Sequence, residues 1–280
     1  MGIEDEIEKT VLSIAGSDPS GGAGIQADLK TFTVLGVYGG AVITCLTAQN
    51  TQGVFSVEPV TPSFVKEQIK CVLNDLNVSH IKIGMVGTIP IIENICEQLA
   101  DFSGEIIYDP ILVSSSGHAL MDENGYDAVR QLLLKICTVI TPNLPELPIL
   151  SERNCTDQNE IFAAAESLLD KHEKLRTVII KGGHSQPEDK MVNDYLIKQD
   201  AEENKLNIIR ESHPRLETRN THGTGCTFSS AFTAYHLLAG DDTTAFRKAV
   251  SFMDELLTLS ASRDIGCGTG PLLHHLVLKG

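Results

Sequence analysis

Six short stretches of the chain carry residue types that could do chemistry. Asn220-Thr221-His222-Gly223-Thr224-Gly225-Cys226-Thr227 runs directly into an apolar-periodic segment starting at Phe228. Successive N–H groups of a Gly-x-Gly turn at a helix N-terminus form an anion hole, where the dipole and the orphan donors favour phosphate. Cys226 falls in the first turn of that helix, where the same field is expected to favour its thiolate. The competing reading is a Gly-rich turn beside a buried, inert cysteine. Val178-Ile179-Ile180-Lys181-Gly182-Gly183-His184 reads as a buried strand ending in a lysine. At that end Lys181 would project into a ligand crevice and suit a phosphate, unless its stem simply snorkels to the surface. Asp109-Pro110 ends another strand, and Thr141-Pro142-Asn143-Leu144-Pro145-Glu146 lies between a strand and a short helix. Asn143 and Glu146 are three apart, which brings them to one side of a first helical turn. Oxygen ligands of this kind, with retained water and substrate phosphate, are what Mg2+ prefers; a capped turn would use the same residues.

The two remaining stretches are glycine-rich. Ala15-Gly16-Ser17-Asp18-Pro19-Ser20-Gly21-Gly22-Ala23-Gly24 sits between a strand and a helix, where ligands bind in an open parallel sheet. No Gly-Lys dipeptide exists for a Walker A loop, and the opening loop does not fit GxGxxG, so neither common nucleotide fingerprint applies. Gly266-Cys267-Gly268-Thr269-Gly270-Pro271 reads as a lid or, preferably, a terminal turn. The adjacent His274 and His275 project differently and have no third ligand at metal spacing, so zinc is not supported.

Elements that could hold these residues alternate along the chain. Apolar strands are expected at residues 10–15, 38–46, 80–86, 105–108, 138–141, 176–181, 194–198 and 206–210, the first six reading as runs covered on both faces. Helices are expected at 22–35, 62–76, 89–102, 125–135 and 158–172, with Thr61-Pro62 as N-cap and N1. Such alternation signals βαβ units on a mostly parallel sheet. After two strands without an intervening helix, which suit a hairpin edge, two long helices follow at 225–238 and 243–263. Residues 199–205 read as a solvated turn between those two strands. No repeat or linker divides the chain, so one domain over 1–280 is expected, with residues 1–9 as an N-terminal extension.

Composition narrows the function. The chain has 280 residues, 42% hydrophobic and 21% charged, which supports a large core and excludes a disordered chain. Lys and Arg number 22 against 37 Asp and Glu, a net charge of −15 that repels a nucleic-acid backbone. Seven cysteines without a CxxC pair suit a reducing compartment, and the acidic N-terminus lacks a signal peptide's basic and apolar regions, so a cytoplasmic protein is expected. Residues 31–57 carry no charge, but their glycines and amides argue against a membrane span.

The motifs together carry a family likeness. The 15–31 segment, Leu46-Thr47-Ala48-Gln49-Asn50-Thr51, Lys82-Ile83-Gly84-Met85, the 141–146 segment, Lys181-Gly182-Gly183-His184 and the 221–227 segment resemble, in the same order, the hydroxymethylpyrimidine/phosphomethylpyrimidine kinases of thiamin biosynthesis. These enzymes belong to the ribokinase-like superfamily, and the resemblance spans residues 10–275. It implies a three-layer αβα sandwich, a homodimer, and ATP- and Mg2+-dependent phosphorylation of 4-amino-5-hydroxymethyl-2-methylpyrimidine and then of its monophosphate.

By position, the resemblance places Gly16, Asp28, Gln49, Met85 and Ile111 at the pyrimidine. It places Lys181, Thr221, Gly223, Thr224 and Gly225 at the nucleotide phosphates, with Gly223, Gly225 and Lys181 also serving catalysis. Asp109, Asn143 and Glu146 match the metal group, and Cys226 matches the catalytic cysteine, expected to accept or position the hydroxymethyl proton. Most sugar kinases of the superfamily carry Asp there, and Cys points to a heteroaromatic alcohol. The Gln49 amide can accept from an exocyclic amine and donate to a ring nitrogen, the pair an aminopyrimidine offers. The alternatives are a pyridoxal or dual-specificity kinase and a retired kinase that senses the pyrimidine. In the stretch 111–118 that follows Asp109-Pro110, His118 sits where variability is expected and is given no role.

Overall fold

The computed structural model describes residues 8–112, 121, 123–184, 189–200 and 205–279. Aliphatic and β-branched runs form the strands β1 (Thr10–Ser17), β2 (Gly39–Asn50), β3 (Gly53–Pro59), β4 (Val78–Ile83), β5 (Glu105–Tyr108), β6 (Val139–Ile140), β7 (Thr177–Ile180), β8 (Met191–Asp200) and β9 (Lys205–Pro214). Among the described residues they build one nine-stranded sheet, ordered β3-β2-β1-β4-β5-β6-β7-β8-β9. In sheet order, the six strands from β2 to β7 run parallel, while β3 and the β8–β9 hairpin add antiparallel edges.

The helices are α1 (Gly24–Val34), α2 (Pro62–Leu73), α3 (Ile89–Leu99), α4 (Glu123–Ala128), α5 (Glu146–Ser151), α6 (Gln158–Lys171), α7 (Thr224–Ala239) and α8 (Asp242–Ala261). They cover both faces of the sheet. Val65 and Ile69 of α2, Ile91 and Ile95 of α3 and Ala164 of α6 share a core with Leu12, Ile14, Ile81 and Ile83. Phe228 and Phe232 of α7 and Phe246 of α8 share another with Ile107, Val139 and Ile179 on the opposite face. Neighbours such as Ile106 and Ile107, or Val178 and Ile179, enter different cores because strand side chains alternate. The expected αβα sandwich with a mostly parallel sheet is therefore the fold.

Several expectations need correction. β3 has no counterpart in the sequence reading; it pairs with β2, and the two strands hold most of the uncharged stretch that follows α1. The far half of β2 alternates between partly buried and exposed residues, because β3 covers its edge and no helix covers its outer end. The 125–135 helix begins two residues earlier as α4 and loosens into a π turn over Val129–Leu133. Thr61 precedes α2 with Pro62 at N1, but its hydroxyl makes no capping bond. Residues 201–204 of the expected turn, residues 1–7 of the expected extension and His118 lie outside the described residues. No helix among the described residues is long and apolar enough to cross a membrane.

Candidate active site

The residues singled out for chemistry gather at the C-terminal ends of the parallel strands, around the start of α7. Gly223, the N-cap of α7, is left-handed at φ +82°, and a methyl there would collide with Gly22 O. Only glycine permits both that backbone and the close approach of the opening loop. Thr224 N donates to Thr221 O at 3.3 Å and Thr227 N to Gly223 O at 2.9 Å. Between them, the amides of Gly225 and Cys226 have no backbone acceptor among the described residues, as expected of a helix N-terminus. A methyl at Gly225 would lie 3.4 Å from Lys181 Nζ and 3.6 Å from Asp109 Oδ2, so the amide turn faces these two side chains directly.

Asp109 at the end of β5 and Lys181 at the end of β7 meet at 2.5 Å, Oδ1 to Nζ, and Thr141 Oγ1 donates to the same oxygen at 3.1 Å. Burial alone would raise the Asp109 pKa, but Lys181 and Lys82 hold it below the usual carboxylate range. Its other oxygen, Oδ2, is buried without a hydrogen-bond partner. Burial would likewise discharge Lys181, but Asp109 and Glu146 keep it protonated; its ammonium ends on the buried Asp109 and not at the surface, against the snorkel reading. Asn143 N donates to Glu146 Oε2 at 2.8 Å, and Glu146 N to Asn143 Oδ1 at 2.9 Å. This reciprocal pair closes the turn into α5. Burial pushes the Glu146 carboxyl up to about 7, although Lys181 pulls the other way.

The expectation of a thiolate at Cys226 is overturned. The side chain is buried, and burial pushes its pKa up to about 11, against the pull of Lys82. Burial outweighs the Lys82 charge and the Gly24 backbone hydrogen bond, so the group is a thiol at neutral pH. Asp28, which the resemblance places at the pyrimidine, has its carboxylate engaged inside the fold. It is wholly buried and its carboxylate is taken by Ser13 Oγ at 2.6 Å, Ser230 Oγ at 2.7 Å and Lys82 Nζ at 3.0 Å from each oxygen. The Lys82–Asp28 pair thus has its charges satisfied internally, and Lys82 is held protonated mainly by Asp28 against its burial. Lys82 lies within a quoted motif, yet the sequence alone assigns it nothing.

Gly16, Met85 and Ile111 do converge. A methyl at Gly16 would stand 2.7 Å from Cys45 Sγ and 3.6 Å from Met85 Sδ. One at Gly84 would stand 2.9 Å from Lys82 Nζ and 3.7 Å from Ile111 Cδ1. The two glycines therefore let β1, β2 and β4 approach one another closely, around the Cys45 and Met85 sulfurs, the Lys82 ammonium and Ile111. Gln49, near the end of β2, reaches this region through Thr47 Oγ1 at 3.2 Å and His222 Nε2 at 3.2 Å.

Two further residues, Asp18 and His222, escape a sequence reading. Asp18 organises the opening loop by accepting from Ser20 N, Ser20 Oγ, Gly22 N and Ala23 N, and His222 Nε2 lies 2.8 Å from its Oδ2. Burial opposes its charge, yet the His222 and Ser20 hydrogen bonds hold Asp18 at about 2. The Ser-Asp-Pro-Ser-Gly run is a turn signal, but the histidine that completes it stands 204 positions away.

An αβα sheet that brings helix amides, a Lys–Asp pair and a thiol to its C-terminal edge belongs to the ribokinase-like class of small-molecule kinases. The family model described as phosphomethylpyrimidine kinase matches residues 18–273. A Haemophilus influenzae protein named hydroxymethylpyrimidine/phosphomethylpyrimidine kinase is 40% identical over 270 residues, covering 95% of this chain and 96% of its own. The crystal structure of phosphomethylpyrimidine kinase from Clostridium difficile 630 superposes with a TM-score of 0.75 at 34% identity, over 89% of this chain and 99% of that one. Pyridoxal kinase from Staphylococcus aureus, solved with AMP-PCP and pyridoxal, gives 0.79 at 29% identity, over 96% and 94%. This chain belongs to the phosphomethylpyrimidine kinase family.

Proposed function

We propose that the protein transfers the γ-phosphoryl group of ATP to the hydroxymethyl oxygen of 4-amino-5-hydroxymethyl-2-methylpyrimidine, and then phosphorylates the resulting monophosphate, in thiamin biosynthesis. One observation carries the reading: the Gly225 turn abuts the Lys181–Asp109 pair, with Cys226 next in the chain. Phosphoryl transfer proceeds through a loose transition state whose charge lies on the equatorial oxygens, so positioning and charge neutralisation do most of the work. The amides of Gly225 and Cys226 and the Lys181 ammonium supply that neutralisation, with Thr221 and Thr224 at the mouth of the same turn. In the first step the alcohol oxygen bonds to Pγ, the bond from Pγ to the bridging oxygen breaks, and ADP leaves. The alcohol proton passes to a non-bridging oxygen of the transferred phosphoryl group as the new bond forms, with the Cys226 sulfur holding the hydroxyl in line.

Mg2+ fits the acceptors present. Asp109 Oδ2 is buried and unpartnered, and its carboxyl is held in the ionised form. Asp109, Glu146 and Asn143 would hold the ion, which when bound neutralises the β- and γ-phosphate charge. Gly16, Met85, Ile111 and Gln49 would receive the pyrimidine. Asp28 would act from behind, keeping Lys82 in place. The likeness to pyridoxal kinase makes pyridoxal a second alcohol to test. Intact Lys181, Glu146 and Cys226 weigh against a retired kinase that only senses its ligand. A homodimer is supported by the exposed Val54, Phe55 and Val57 on the β3 edge, and a cytoplasmic location by seven unpaired cysteines.

The test incubates pure protein with ATP, Mg2+ and the pyrimidine alcohol and follows mono- and diphosphate by mass. Sequential appearance of both is expected. Turnover of pyridoxal alone would move the protein to the other kinase class, and no product with either alcohol would sink the proposal.

A further inference from the structure

One side chain of the α7 turn reaches into the pyrimidine pocket. His222 Nε2 stands 2.8 Å from Asp18 Oδ2 and 3.2 Å from one amide atom of Gln49. The other amide atom of Gln49 stands 3.2 Å from Thr47 Oγ1, and that hydroxyl lies 3.0 Å from the Ser17 carbonyl oxygen. The His222 ring is fixed from outside: a methyl at Gly22 would collide with its Cδ2, and His222 N donates to Gly270 O at 3.0 Å.

Donor and acceptor chemistry settles which way the Gln49 amide points. The Asp18 carboxylate already takes four other donors and offers only acceptors, so the proton in its contact with His222 sits on Nε2. A nitrogen that donates to a carboxylate can meet only an acceptor on its Gln49 side. At the other end, the Ser17 carbonyl accepts the Thr47 hydroxyl proton, which leaves the Thr47 oxygen able only to accept from Gln49. The structure carries the amide with Nε2 at His222 and Oε1 at Thr47, and both ends demand that it be turned over: amide oxygen toward His222 and NH2 toward Thr47.

We propose that His222 is a positioning residue for the pyrimidine ring: with Asp18 and Thr47 it locks the Gln49 amide so that one N–H remains free to donate to a ring nitrogen. This rests on the pyrimidine-kinase reading above and deepens it. A free amide could turn over and serve either a donor or an acceptor on the ligand. A locked one keeps that donor aimed at the ring, so a pyrimidine nitrogen meets a partner already set. Because His222 belongs to the turn that carries Gly223 and Gly225, recognition of the ring and seating of the phosphates share one rigid loop.

The test is a steady-state comparison of His222→Leu, His222→Gln, Thr47→Val and Gln49→Met with the parent, for pyrimidine alcohol and ATP. His222→Leu should raise the KM for the pyrimidine by about tenfold, with the KM for ATP within about twofold. His222→Gln keeps an N–H donor and should recover most of that loss. In the Gln49→Met background, His222→Leu should add nothing further. Additive losses, an unchanged pyrimidine KM, or a parallel rise in the KM for ATP would overturn the proposal. If His222→Leu does not fold, Thr47→Val and His222→Gln carry the same comparison. Calorimetric binding of the pyrimidine alcohol reads ring recognition without turnover, so failure of the kinase reading is distinguishable from failure of the lock.

Discussion

Cys226 shows how a residue can be rightly located and wrongly charged. Its place in the first turn of α7 is legible, because Gly223-Thr224-Gly225 precedes a long apolar period. Its protonation is not, because desolvation depends on what packs around the sulfur. With burial pushing the thiol up to about 11, it would serve the proposed reaction as a positioned hydroxyl partner and not as a ready base. Cys226→Ala should therefore lower kcat by about 10² with little change in ATP binding. Cys226→Ser keeps a small polar group that can hold the alcohol but has no accessible anion, so it should stay within about tenfold of the parent. A serine variant as slow as alanine would restore the base. Alkylation by iodoacetamide near neutral pH should also be slow at this position, which peptide mapping checks.

The elements divide by how much of their pattern is local. Six strands were legible because a strand buried on both faces must be apolar throughout, and β8 and β9 because a hairpin leaves no room for a helix. β3 was not, since Phe55 is 68% exposed and its neighbours are mostly exposed too, leaving no core-facing alternation to read. At the site, the α7 turn and the β7 lysine were legible as local strings. The contacts among Asp18, Gln49 and His222 were not, because they join three distant segments. Two glycines of the α7 turn separate these effects. Gly223→Ala forces a left-handed residue against Gly22 O and should cost about 2 kcal/mol or more, seen as a fall in Tm. Gly225→Ala meets only the ends of Lys181 and Asp109 at 3.4 Å and 3.6 Å. It should fold with a near-parental Tm yet lose at least about tenfold in kcat, because a methyl now stands where phosphate oxygens belong. Equal losses of Tm in the two variants would refute this division.

At the scale of the whole molecule, the site costs stability, and pH exposes how much. Glu146 has a folded pKa of about 7 against an ordinary value of 4.5, so between these values the folded chain binds more protons than the unfolded one. Stability from this group is therefore full below about 4.5 and is lost as pH rises through 7, by about 3 kcal/mol at most. His80, at the opposite end of the sheet, acts in the other direction. Burial and His236 lower it to about 4, so its contribution is lost as pH falls from 6.5 toward 4. The two slopes oppose one another below pH 6.5, which leaves the Glu146 loss visible mainly toward neutrality. Glu146→Gln removes the charge and keeps the shape of the turn. Urea unfolding of variant and parent should give a difference that is small at about pH 4.5 and grows in favour of the variant up to about pH 8, while its phosphoryl transfer falls. A difference independent of pH would mean that Glu146 is already ionised without stress, and the strained carboxyl beside Asp109 and Lys181 would lose its standing as part of the metal group.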